Sequence, residues 1–305
     1  MDQSFPDTTH IEDILEQEQL ILTDNSFIAG GNTMNSPWYY EDMYHVKKFL
    51  DLSINSLNNA LELYEGTMLW LQNPHVYTTS GVIDEMKTFR DILNGKLSWL
   101  RTYDARGSPS HNKPPQDNDA DLETDEKREL LEDVCKLYHQ TVKLADKKEF
   151  KAQYQTEYGA VENIVAEITR HTGAKIDFEF RYKKYPKKYE DTHADEQLVA
   201  AAIYSSIIDN VSSAIVTADS DIERIFSNTW SYFKNSNAQG FENVLRLVEK
   251  NPIHIYFLLD IPEIGVKTDI RTGLKNNISL DIPTQADAYI KKEFSDYLFK
   301  HVQNM

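Results

Sequence analysis

The sequence predicts an α/β protein: a central parallel sheet flanked by helices and elaborated by helical insertions. Short apolar runs bounded by turn-forming residues alternate with longer stretches of helical period, as in strand–helix units whose strands lie parallel. The 305 residues are 40% hydrophobic and include 17 Tyr, 13 Phe and 4 Trp, enough for one sizeable core. One elaborated domain, or a domain with an appendage, is the expectation at this length.

Residues 19–23 form an apolar run closed by Asp24-Asn25-Ser26, which reads as a buried strand ending in a turn. From Ser36 to Leu71 the chain is aromatic-rich and helix-periodic, with Leu50, Ile54, Leu57, Leu61 and Tyr64 recurring every three or four residues. Residues 75–79 are the second strand, after which Ser80 caps a helix whose apolar stripe is Val82, Met86, Phe89 and Leu93. Residues 104–129 hold eight acidic and four basic residues, three prolines and few large apolar side chains, so a mobile loop is expected. Helices follow at about 127–147 and 156–171, the second stopped by Gly173. Residues 175–180 alternate like a strand. Helices over 192–208, 221–233 and 241–250 then alternate with strands at 214–217 and 253–259, and an amphipathic helix spans about 285–302. The core is expected over 18–260, with insertions at about 32–70 and 100–190, and residues 261–305 form an appendage carrying the terminal helix.

Charge and cysteine usage exclude several classes. The 49 acidic residues exceed the 32 basic by 17, which argues against a protein that coats duplex nucleic acid and confines any such contact to a local basic patch. The single cysteine, Cys135, excludes an internal disulfide and a Cys-rich zinc module. The opening residues have neither a basic nor an apolar stretch, and no apolar run approaches the ~18 residues of a spanning helix. A cytoplasmic protein that does not engage a membrane is expected.

The informative acids are those that follow strands. Asp24 follows the first, and Asp219 and Asp221 follow the strand at 214–217. Ligands of open α/β sheets bind outside the carboxyl ends of the strands, so two strands ending in acids can deliver both to one crevice. The competing reading is that each Asp simply caps the next helix. At ~100° per residue, Glu85 borders the apolar stripe of its helix whereas Asp84 faces solvent. Asp195 opens the helix that Thr192 precedes, a capping-box-like pair. It shares a face with Val199, Ala202 and Ser206, whereas Glu196 is rotated away and is the weaker candidate.

Four acids in the order Asp24, Glu85, Asp195, Asp219 resemble the PIN-domain nucleases. The resemblance is carried by the strand ending in Asp24-Asn25-Ser26, by the segment from Thr79 to Met86 around Glu85, by the block from Ala194 to Ala201, and by Val216-Thr217-Ala218-Asp219-Ser220-Asp221. It implies a Rossmann-like PIN domain over 18–260 and metal-dependent hydrolysis of phosphodiesters, usually RNA, with one or two Mg²⁺ or Mn²⁺ ions. Asp24 and Asp219 would be direct ligands, Asp195 a direct or water-mediated one, Asp221 a spare, and Glu85 the group that positions water. By the same pattern Ser26 and Thr217 would support the site through hydrogen bonds. The chemistry is consistent, because converging carboxylates repel unless a cation neutralises them, and all-oxygen ligation favours Mg²⁺ or Mn²⁺ over zinc.

One further segment suits RNA. Arg181, Lys183, Lys184, Lys187 and Lys188 interleave with Tyr182, Tyr185 and Tyr189, offering cations to phosphates and rings to unstacked bases. A solvated basic loop, or a contact to an acidic protein partner, is the plainer alternative. The expected function is therefore a metal-dependent endoribonuclease. Its rivals are a structure-specific DNA nuclease on the same site and a catalytically weak scaffold or RNA-binding protein that uses its insertions to hold partners or a second copy of itself.

Overall fold

The structure is a computed structural model that describes residues 8–28, 54–105, 118–173, 192–260, 263–269, 280 and 282–303. A six-stranded sheet has the order β1-β6-β5-β4-β2-β3. Its strands are β1 (Thr8–His10), β2 (Leu20–Thr23), β3 (Val76–Tyr77), β4 (Ser213–Thr217), β5 (Ile253–Asp260) and β6 (Glu263–Asp269). The run β3-β2-β4-β5 is parallel. β6 and β1 add to the β5 side in antiparallel fashion, so the sheet is mixed rather than purely parallel. β2 and β4 are buried along their whole length, which explains why they read as continuous apolar runs instead of alternating ones.

Among the helices, α1 (Ile11–Gln17) and α2 (Asn25–Ile28) bracket β2, and α3 (Ile54–Gln72) and α4 (Ser80–Ala105) flank β3. Then come α5 (Asn118–Lys147), α6 (Gln155–Thr172), and α7 (Ala194–Tyr204), which runs on into a π-helical turn at Ser205–Asp209. α8 (Ser220–Asn235) and α9 (Phe241–Lys250) cover the return to β5. The terminal helix is α10 (Thr284–Glu293), continued through a π-helical turn at Phe294–Leu298 into α11 (Phe299–Gln303). None of the helices among the described residues is long and apolar enough to cross a membrane.

Three expectations are corrected. α4 extends to Ala105 and α5 begins at Asn118, so residues 118–129 are helical and not part of a loop. Their acids favour the positive end of the helix dipole, and Leu, Glu, Lys and Arg are good helix formers, which outweighs the lack of apolar residues. Ser80 is the first helical residue rather than the cap, since its hydroxyl donates to Gln197. Thr192 does not cap α7 either: His193, at φ 54°, holds the cap position without a side-chain bond, and the Thr192 hydroxyl turns to Glu85 instead. Gly173 does stop α6 in the left-handed conformation. The strand expected at 175–180 and the aromatic stretch before residue 54 lie outside the described residues.

The helices of the 54–147 region are built into the core. Tyr64 of α3 and Tyr138 of α5 are fully buried with ring centroids 4.9 Å apart, and Phe89 of α4 packs edge-on against Tyr138. Trp70 donates its Nε1–H to the Thr23 hydroxyl at 2.9 Å, tying α3 to the end of β2. Burying such rings is worth roughly 1.5–3 kcal/mol each. Ile290, Phe294, Leu298 and Val302 of the C-terminal helices belong to the same buried cluster.

Candidate active site

The chain leaves β2 for β3 on one side and later returns to β4 on the other. The β2/β4 boundary is thus a topological switch point, and the carboxyl ends of these two strands border the crevice where ligands bind in such sheets. β2 and β4 pair in parallel with Thr23 opposite Val216. Asp24 therefore emerges level with Thr217, its N–H bonded to the Val216 carbonyl at 3.0 Å.

Asp24 is 3% exposed and is held by two hydroxyls. Thr217 donates to its Oδ2 at 2.7 Å, and Ser26 donates to the same oxygen. Each hydroxyl has one proton, so both are spent on Asp24. Their oxygens accept instead, Ser26 from the Ala218 N–H at 2.8 Å and Thr217 from the Asp219 N–H at 2.8 Å. The two strand ends are thereby stitched together around one carboxylate. Burial pushes the Asp24 carboxyl above its ordinary range. The two hydroxyls work in the opposite direction, and the nearby charge of Asp219 adds to the rise.

Asp219 caps α8 through Asp221 N–H at 2.9 Å, so the helix-cap reading of this acid holds together with its place beside Asp24. Asp221, the expected spare ligand, forms an ion pair through its Oδ1 with Arg224 one turn along α8.

Glu85 sits on the same rim, half-buried on α4, while Asp84 is exposed. Its Oε2 accepts from the Asn25 amide at 3.3 Å and its Oε1 from the Thr192 hydroxyl at 2.9 Å. Glu85 is thus linked to Asn25, the residue beside Asp24, and to Thr192, just before the start of α7. Asp195, in the first turn of α7, is half-exposed, whereas Glu196 is buried at 4% exposure. That reverses the expected ranking of burial between the two. From Leu198 to Tyr204 every residue of α7 is buried, so no single face of it separates core from crevice.

α7 is pinned against α4. Gln197 Oε1 accepts from the Gly81 N–H at 2.7 Å and from the Ser80 hydroxyl at 3.1 Å. A Cβ on Gly81 would lie 2.8 Å from both the Ala194 Cα and the Thr192 carbonyl oxygen, which are backbone atoms that cannot swing away. Gly81→Ala is expected to force α4 and α7 apart, cost about 1–3 kcal/mol and loosen Glu85 from Thr192. A thermal melt of that variant, with an unshifted midpoint as the contrary result, checks this.

Sequence reasoning took Thr192 only as a helix cap and gave Asn25, Gln197 and Gly81 no role of their own. Only Gly81 left a signal, a glycine in the first turn of a helix, where a close backbone approach is one of its uses. The basic-aromatic run, with Arg181, Lys183, Lys184, Lys187, Lys188, Tyr182 and Tyr185, lies outside the described residues.

As to a metal, among the described residues no three His, Cys, Asp or Glu side chains form a group that can hold an ion. The donors are nevertheless hard oxygens, and Asn25 Oδ1 is buried without a hydrogen-bond partner among the described residues. Mg²⁺ is commonly held by one or two carboxylates, with waters and substrate phosphates completing its shell. A carboxylate pair without a third acid suits that mode and does not suit a closed protein cage. No protein-family model, curated protein or solved structure was found to match the chain.

Proposed function

We propose that the chain is a cytoplasmic, metal-dependent endoribonuclease of the PIN type, hydrolysing RNA phosphodiester bonds at the carboxyl edge between β2 and β4. The observation that carries this reading is the Asp24–Asp219 pair at the ends of adjacent parallel strands, with Asp24 oriented by Ser26 and Thr217.

Asp24 and Asp219 would hold Mg²⁺ or Mn²⁺, with Asp195 beside them directly or through water. When bound, such an ion neutralises the carboxylate pair and stabilises charge on the phosphate and on the leaving 3′ oxygen. The protein's own contributions are positional. Ser26 and Thr217 fix Oδ2 of Asp24, so its remaining lone pairs keep one direction. Glu85 takes one hydrogen bond on each oxygen, from Asn25 and Thr192. It retains lone pairs that can accept a proton from the attacking water. The stretch from Arg181 to Lys188 would dock the RNA backbone against the repulsion of a chain with net charge -17.

A second reading keeps the fold and drops the chemistry, with the protein acting as a scaffold. The lack of a group of three ligating side chains among the described residues favours it. End-labelled RNA and DNA of one sequence, incubated with purified protein and Mn²⁺, separate the alternatives. Internal cleavage of the RNA is expected. Cleavage of the DNA alone would assign the site to DNA, and an intact pair would leave the scaffold.

A further inference from the structure

On the β3 side of the carboxylate pair a second cavity opens, of about 350 Å³, between the start of α4, the segment 149–151, α6 and α7. Its position follows from the sheet. Leu22 pairs with Tyr77, so Thr79 emerges from β3 on the level at which Asp24 emerges from β2. Gln197 lines this cavity and also holds the Gly81 N–H. One helical turn beyond Gly81 is Glu85, and two residues before Gln197 is Asp195. The cavity and the candidate active site thus share a wall.

The polar groups in it are unevenly matched. Thr79 is among the lining residues at 2% exposure, and its hydroxyl is buried at the wall with no hydrogen-bond partner among the described residues. Although Thr79 precedes a helix, it does not cap it; only its carbonyl is engaged, by the Ile83 N–H at 3.0 Å. Two carboxylates, Glu149 and Glu162, and one lysine, Lys151, line the cavity, so its ionisable side chains are acidic on balance. Tyr158 donates its hydroxyl to the Gln197 carbonyl at 3.5 Å and lies beside Glu162, and burial raises both Tyr158 and Glu162 above their ordinary ranges. A half-buried carboxyl of this kind is best satisfied by a further donor. Phe150 and Tyr158, with ring centroids 5.7 Å apart and planes inclined at 61°, supply an apolar corner in which a base can stack on one ring and meet the other at its edge.

A carboxylate, a spare hydroxyl and aromatic walls complement one heterocycle in particular. Guanine presents two adjacent N–H donors, at N1 and N2, beside the acceptor O6. Adenine and cytosine each set one amine beside a ring acceptor, and uracil sets one N–H between two carbonyls. Unpaired bases in RNA are read in this way, by hydrogen bonds to the Watson–Crick edge and by stacking on aromatic rings. The volume is within the range of small-molecule sites.

We propose that this cavity recognises a single unpaired guanine of the RNA substrate. Glu162 accepts from N1–H and N2–H, Thr79 donates to O6, and the base lies against Phe150 and Tyr158. The identity of the ligand rests on the ribonuclease reading, but the test does not need cleavage. Calorimetric titration of the metal-free protein in EDTA, with guanosine, adenosine, cytidine and uridine monophosphates and with inorganic phosphate and spermidine as controls, reads the pocket directly.

Guanosine monophosphate should bind at least about tenfold more tightly than the other three nucleotides. Glu162→Gln, which replaces an acceptor by a donor, and the near-isosteric Thr79→Val should each weaken it by about tenfold, the worth of one hydrogen bond to a charged or otherwise unpaired group. Asp24→Asn should bind it as wild type does. Equal affinity for the four nucleotides, no binding at millimolar concentration, or binding unchanged in both variants would overturn the proposal. So would spermidine or phosphate binding with the same dependence on Glu162 and Thr79. If guanosine monophosphate is selected but no RNA is cleaved, the ribonuclease reading fails and the pocket stands; cleavage without selection is the reverse.

Discussion

Asp24→Asn is expected to abolish metal-dependent cleavage and at the same time to make the metal-free protein more stable. The loss follows from removing one of the two carboxylates at the switch point. Electrostatic stabilisation by a bound ion is worth several kcal/mol, so a fall of about 10²- to 10⁴-fold is expected. The gain follows from burial. Asp24 is buried beside Asp219, and both facts raise its pKa in the folded state. The folded protein therefore binds this proton more tightly than the unfolded chain does. Its stability is highest below the unfolded value of about 4 and falls as pH rises through the higher folded value. Asn has no such proton and still offers an oxygen to Ser26 and Thr217. In EDTA at neutral pH the variant should gain roughly 0.5–2 kcal/mol, the usual scale of relieving a functional-site penalty, and lose this part of the pH dependence. Thermal melts across pH 4–8 check both; a lower melting point at pH 7 would contradict the electrostatic account.

Thr217→Val should move stability the other way. Thr217 is fully buried, and its hydroxyl both donates to Asp24 and accepts from the Asp219 N–H. Valine keeps the shape and supplies neither. The buried carboxylate loses a charge-assisted bond and a backbone N–H loses its acceptor, a combined cost of about 3 kcal/mol, or ~5 °C in melting temperature for a chain of this size. Activity should fall about 10- to 100-fold, as for other groups that orient a ligand. Two substitutions at one hydrogen bond thus have opposite signs in stability and the same sign in activity, a pattern that a generally fragile core would not produce.

The parts of this arrangement that were legible in the sequence are those set by local pattern. Leu20–Thr23 and Ser213–Thr217 are apolar runs because both sheet faces are covered, and an acid within two residues of each, Asp24 and Asp219, is visible as such. The two antiparallel strands added on the β5 side escaped. Thr8–His10 is too short to carry a period, and in Glu263–Asp269 only Ile264, Val266 and Thr268 alternate with Gly265 and charged residues, too weak a signal to stand without its partners. Helix arithmetic placed Glu85 correctly because α4 has one buried stripe. It misjudged the burial of Asp195 and Glu196 because α7 is buried almost all round, where a period of 3.6 carries no information. Thr192 read as a cap from spacing alone, while its hydroxyl is engaged by Glu85, 107 residues away in the chain. Contacts of that range, and the Gln197–Gly81 tie, are set by tertiary packing and leave only traces such as a small residue at a helix start.

The central claim, a cation held at the Asp24–Asp219 pair that cleaves RNA, is tested most directly by one assay. Purified wild-type protein and Asp24→Asn are incubated side by side with end-labelled single-stranded RNA in Mn²⁺, in Mg²⁺ and in EDTA. The account predicts internal cleavage by wild type with either metal, none in EDTA, and none by the variant although it melts no lower than wild type. Cleavage that persists in EDTA, cleavage by Asp24→Asn within about tenfold of wild type, or intact RNA under every condition, would contradict it.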